Sequence, residues 1–183
     1  MKKTLLKSIL PFFVLITLVT SCEKDKDDPN EEELITTVKL TFTEVGGGAA
    51  VTSFTFKDLD GDGGAAPTMF QDIVLAPGKT YNMAITLTNE SVSPAEDITA
   101  EVSAEGGDHQ FYFAATGANV TFSNLNNDGG GLPLGLTSTW TTGAVSNGTV
   151  RITLKHKPGI KAAGDPVTKG DTDVDLNWIT RVM

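Results

Sequence analysis

Two stretches of the chain carry the same oxygen-rich, glycine-rich pattern. DLDGDGGAAP (58–67) and NLNNDGGGLP (124–133) align without a gap, and each follows a Thr-Phe pair and closes on a proline, Pro67 or Pro133. In the first, Asp58, Asp60 and Asp62 have the 1-3-5 spacing, and Gly63 the sixth place, of a calcium loop, a spacing that points alternate carboxylates at one centre. The twelfth place is Met69, so the bidentate glutamate of a helix-loop-helix site is missing. The expectation is a weak calcium site, with a dissociation constant of about 10⁻⁴ to 10⁻³ M as in extracellular modules. The second loop keeps oxygens at Asn124, Asn126 and Asp128 with a single formal charge, a poorer set for calcium. For both loops the competing expectation is a turn whose Asp and Asn side chains cap their own backbone.

The chain has two histidines. His109 shares strand parity with Phe111 and Phe113, and His156 with Val150, Ile152 and Leu154, so each extends an apolar face at the end of a strand and is expected at a core rim. If the rims coincide, the two imidazoles with Glu105 or Asp108 make a site for zinc, copper or iron. The competing expectation is two separate rim residues satisfied by backbone hydrogen bonds.

These residues need a scaffold of strands. From Leu34 onward the chain alternates apolar and polar residues in short runs broken by Gly, Asn, Asp and Pro, and this predicts strands near 35–43, 51–57, 69–75, 80–88, 97–104, 109–115, 119–123, 135–141, 147–156 and 172–182. No helix is expected. Ten short strands predict an all-β domain, a single antiparallel β-sandwich of immunoglobulin-like or jelly-roll-like type, with a barrel as the alternative. About 150 residues suffice for one domain with its own core.

The N-terminal region supplies an address. Lys2, Lys3 and Lys7 precede an apolar run from Ile9 to Val19, too short for a permanent membrane span and read as an export signal over residues 1–21. Val19-Thr20-Ser21-Cys22 resembles the bacterial lipobox, in which the cysteine is lipidated and becomes the mature N-terminus; Cys22 is the only cysteine. Residues 22–33 form an acidic tether, since seven of the eleven residues from Glu23 to Glu33 are acidic and none is apolar, leaving nothing to bury. An acidic run behind the lipidated cysteine is similar to the signal that sends lipoproteins of the Bacteroidota to the outer face of the outer membrane. A solvated spacer facing the periplasm is the alternative. The expected location is the outer membrane, held by lipid, at the cell surface.

Removing residues 1–21 takes away three lysines and no acid, so the net charge moves from −9 to about −12. A surface this negative repels phosphates and attracts cations, which argues against nucleic acid as a partner. The chain lacks Gly-x-Ser-x-Gly, His-Glu-x-x-His and a phosphate-binding glycine loop, and lipidation consumes its thiol, so no enzyme is expected. Trp140, Trp178, Tyr81 and Tyr112 are the candidates for sugar platforms, although Trp178 shares parity with Val174 and Leu176 and reads as core.

At EDITAEVSAEGGDHQFYF (96–113), GTVRITLKH (148–156), GDTDVDLNW (170–178) and the Asp-Gly loops, the chain resembles a family of small Bacteroidota lipoproteins often labelled "type 1 periplasmic binding fold superfamily protein". The resemblance covers nearly all of residues 33 to 181. Its matching positions include the acidic residue before His-Gln, here Asp108-His109-Gln110, and the Leu-x-His strand end, here Leu154-Lys155-His156. Members commonly accompany TonB-dependent outer-membrane receptors, which implies ligand capture for uptake. The label names an α/β architecture, whereas the periodicity here predicts strands alone. The functional expectation is a lipid-anchored protein that captures a metal ion or small metal complex for a TonB-dependent system. The alternative is a structural or adhesive β-sandwich, stiffened by calcium, that contacts glycans or protein.

Overall fold

A computed structural model describes residues 34–47, 51–61 and 63–183; the segments read as an export signal and a tether, with Cys22, and Asp62 lie outside them. The elements in chain order are β1 (Thr37–Glu44), β2 (Val51–Lys57), β3 (Met69–Phe70), β4 (Ile73–Leu75), β5 (Thr80–Thr88), α1 (Ile98–Ala104), β6 (His109–Thr116), β7 (Val120–Ser123), β8 (Thr137–Thr142), β9 (Ser146–His156) and β10 (Asp171–Val182). They form two open sheets, ordered β3-β2-β1-β5-β8-β7 and β4-β10-β9-β6. This is the expected all-β sandwich and not a closed barrel. Among the described residues no helix is long and apolar enough to cross a membrane.

The alternating runs fold as strands because each can bury one face while the other meets water. In β5, Tyr81, Met83, Ile85 and Leu87 point inward and the residues between them are exposed. Val38, Leu40 and Phe42 do the same in β1, and Val150, Ile152 and Leu154 in β9. Aromatic rings join the layers. Phe113 of β6 meets Trp140 of β8 at 5.9 Å, and Phe70 of β3 meets Trp178 of β10 at 5.0 Å, both edge to face. Full burial of each such aliphatic side chain stabilises the fold by about 1.5–3 kcal/mol. Trp140 and Trp178 are both fully buried, which removes them as sugar platforms.

Three expectations are corrected. Residues 98–104 are helical: Asp97 accepts a hydrogen bond from the Ala100 amide and caps the first turn, Glu101 lies in that turn, and Ile98 and Val102 are buried. An apolar pair four residues apart fits one helix face as well as one strand face, and the cap decides in favour of the helix. Thr99 Oγ1 then bonds both the amide and the carbonyl of Leu87, fastening α1 to β5. The run 69–75 is two strands in different sheets. At its centre Gln71 turns its side chain to the Thr55 amide, and Asp72 pairs with Arg181 at 2.7 Å. The sheets are not wholly antiparallel, because β4 runs parallel to β10.

Candidate metal centre

The register of β6 on β9 sets His109 directly opposite His156. Both side chains point to the inner face, as strand parity predicts, and their rings stack within 5° of parallel with centroids 4.6 Å apart. Both stand at strand ends, as expected, and both are buried there. His109 is 0 % and His156 4 % exposed, because the chain returns over them on both sides: the C-terminal cap of α1 at Glu105 on one, the start of β10 on the other.

His109 Nδ1 lies 3.2 Å from the Glu105 carbonyl oxygen. A carbonyl only accepts, so Nδ1 carries the hydrogen and Nε2 of the neutral ring is left with its lone pair. Burial is the main force holding His109 below the usual imidazole range; the Glu105 bond opposes it and His156 adds to it. The Nε2 of His109 has no hydrogen-bond partner among the described residues.

The two acids read from the sequence take other roles. The Glu105 side chain is exposed, and only its backbone oxygen meets the imidazole. Asp108 accepts from the Gly159 amide through its carboxylate and from the Lys157 amide through its carbonyl, tying the turn before β6 to the turn after β9. The acid beside the imidazole is Asp173, with Oδ2 3.8 Å from His109 Nε2 and both side chains wholly buried. Strict alternation places Asp173 on the same face as Asp171 and Asp175. The ladder of β10 on β9 instead breaks between Thr172 and Val174, so Asp173 is the extra residue of a β-bulge, a device that re-aims one side chain. Sequence reasoning missed Asp173 for that reason.

Asp173 also lines a cavity of about 570 Å³ between β10 and the loop after β2, together with Asp58, Gly61 and Gly63 on the loop side and Val38 and Phe56 on the floor. Asp58 is buried although it lies in a loop. Its amide is held by the Thr36 carbonyl at 2.8 Å. Asp60 is exposed, and its carboxyl is held below the ordinary range by the Ala65 amide first and by a hydrogen bond with Asp58 second. Asp58 and Asp60, two of the three carboxylates read as a calcium set, therefore act on each other electrostatically. Asp173 thus lies between the first loop and the histidine pair, which are far apart in sequence.

The second loop is closed by a side chain from elsewhere in the chain. Asp128 Oδ1 accepts from the Gly130 and Leu132 amides, and Oδ2 accepts from Lys161 Nζ at 2.6 Å, with both side chains buried. Asn126 Oδ1 accepts from the Thr137 amide, and Asn124 donates to Thr139. Of the three residues at the 1-3-5 spacing only Asp128 meets the ammonium, so the oxygens of this loop do not gather on one centre. Nearby Lys157 is fully buried, bonded to Gln110 Oε1 and the Tyr112 hydroxyl and 3.6 Å from Asp165. Burial pushes its pKa down against the pull of Asp165. These lysines anchor the segment between β9 and β10 that leads into the bulge.

No group of three or more His, Cys, Asp or Glu side chains placed to hold a metal ion occurs among the described residues. Compared with family models, curated proteins and solved structures, the chain matches none.

Proposed function

We propose that the protein is a lipid-anchored, surface-facing binding protein that captures a metal ion or small metal complex for a TonB-dependent outer-membrane uptake system. The observation that carries the metal reading is the buried His109, stacked on His156, with its Nε2 3.8 Å from the wholly buried Asp173 carboxylate. Neutral imidazole and carboxylate are the donor types that zinc, copper and iron accept. The lipid anchor rests on Val19-Thr20-Ser21-Cys22, and the uptake partner rests on the family resemblance. The strongly negative charge concentrates cations at the surface and suits capture.

The test is made on the full chain expressed in a bacterium that processes lipoproteins. The protein should fractionate with membranes and, purified in detergent, carry metal measurable by elemental analysis. Cys22→Ala should move it to the soluble fraction, because stable attachment needs lipid. Equal membrane recovery of the alanine variant would remove the lipoprotein reading, and a metal-free wild-type chain that also takes up none would remove the metal reading.

A second reading, a structural or adhesive sandwich stiffened by calcium, is favoured by one observation: Asp58, buried in the first loop, acts on the neighbouring Asp60 carboxyl. Calcium dependence of the melting temperature tests it.

A further inference from the structure

We infer that His109 Nε2 and the Asp173 carboxylate are two ligands of one zinc-type divalent ion, whose remaining coordination positions open into the cavity walled by Asp58. This rests on the metal-capture reading above and assigns its donors.

The separation of the two groups is the first argument. At 3.8 Å, His109 Nε2 and Asp173 Oδ2 are too far apart for a hydrogen bond. Two donors on one tetrahedral zinc, each with a bond of about 2.0–2.2 Å, stand about 3.4 Å apart. The observed gap lies within a few tenths of an ångström of that.

The tautomer is the second. With Nδ1 donating to the Glu105 carbonyl, Nε2 presents its lone pair on the side of the Asp173 carboxylate. A backbone carbonyl that fixes the far nitrogen is the usual outer partner of a metal-bound histidine. The bulge is the third argument, since it turns an acid that alternation would leave outside inward to the imidazole and to the cavity at once.

His156 has a different part. Lone pairs lie in the plane of an imidazole, so two parallel rings stacked at 4.6 Å do not aim at a common point between them. His156 fixes the orientation of His109 by stacking and is a positioning residue. A centre with two protein ligands and a facing cavity takes an ion that brings or recruits its other ligands, which suits exchange better than permanent retention.

The experiment titrates the full chain, purified in detergent and stripped with chelator, with zinc and with cobalt(II), whose visible bands report coordination geometry. One equivalent should bind. His109→Gln and Asp173→Asn should each weaken binding by more than about 100-fold, beyond the loss expected for an outer partner, whereas His156→Phe, which keeps a flat ring in the stack, should stay within about 10-fold. Should a variant fail to fold, the wild-type protein labelled with ¹⁵N at histidine gives the answer: the Nε2 resonance of His109 must shift on adding zinc. An unmoved resonance, wild-type affinity in both ligand variants, or loss of binding in His156→Phe equal to theirs overturns the assignment. Metal binding that is lost in these variants while the chain proves unanchored would leave the assignment standing and remove only the lipoprotein reading.

Discussion

Lys161 Nζ lies 2.6 Å from Asp128 Oδ2 with both side chains buried, so the one charge of the second glycine-rich loop is neutralised by a lysine from the connection between β9 and β10. The ammonium also donates to the Gly106 carbonyl at 2.6 Å, and it thereby joins three segments: the loop after β7, the turn after α1 and the connection from β9 to β10. Lys161→Met leaves Asp128 buried without its counter-charge and should destabilise the fold by about 3 kcal/mol. Asp128→Asn in the same background should restore part of that loss, because the uncompensated charge is gone. Urea denaturation of the two single variants and the double variant checks this. Additive losses would mean that the pair is not coupled.

The same pair gives an acid dependence of known sign. Lys161, foremost, holds the Asp128 carboxyl below the ordinary carboxylate range. A group whose pKa is depressed in the folded state contributes stability that is fully present above its unfolded value of about 3.9, and that contribution is lost as pH falls through the lower folded value. The stability gap between wild type and Asp128→Asn should therefore be constant from pH 7 to about pH 5 and narrow below pH 4. Thermal melts across that range measure it, and a gap that widens toward low pH contradicts the assignment.

The strands and the histidine pair were legible in the sequence because both depend on alternation. His109 and His156 each continue an apolar face, and antiparallel pairing of β6 with β9 brings the two strand ends together. What alternation cannot report is a break in itself. Asp173 is turned inward by one extra residue in β10, and nothing in TDVDLNW marks where the ladder slips. The helix α1 was hidden by coincidence, since Ile98 and Val102 satisfy both periods over a run of seven residues. Lys161 reaches Asp128 from 33 positions away, a pairing that depends on tertiary packing and not on local spacing.

Gly170 precedes β10 and sets the entry to the bulge. Its φ is +83°, a backbone conformation that side chains disfavour, and a Cβ there would fall far inside contact distance of the His156 carbonyl oxygen. Gly170→Ala should cost about 1–3 kcal/mol from the strained φ alone, with the backbone overlap adding to it. Gly159→Ala is the comparison: φ is +65° there and a Cβ meets nothing, so the loss should be smaller. Melting temperatures of the two variants separate close approach from conformational strain, and equal losses would show that the approach to His156 is slack.

Calcium at the first loop is the remaining expectation, and its size can be set in advance. Asp58 acts on the Asp60 carboxyl, and a cation between neighbouring carboxylates offsets their mutual repulsion. With a dissociation constant near 10⁻³ M, 10 mM calcium stabilises the folded state by about 1.4 kcal/mol. For a domain of this size that raises the melting temperature by about 3–5 °C. Asp60→Ala combined with Asp62→Ala should abolish the rise, while His109→Gln, which leaves the loop oxygens in place, should keep it. Magnesium at the same concentration should do less, since it demands shorter bonds and stricter octahedral geometry than a flexible glycine-rich loop provides. A wild-type melt that does not move in 10 mM calcium would make the first loop a turn and no more, and the adhesive reading would lose the one observation that favours it.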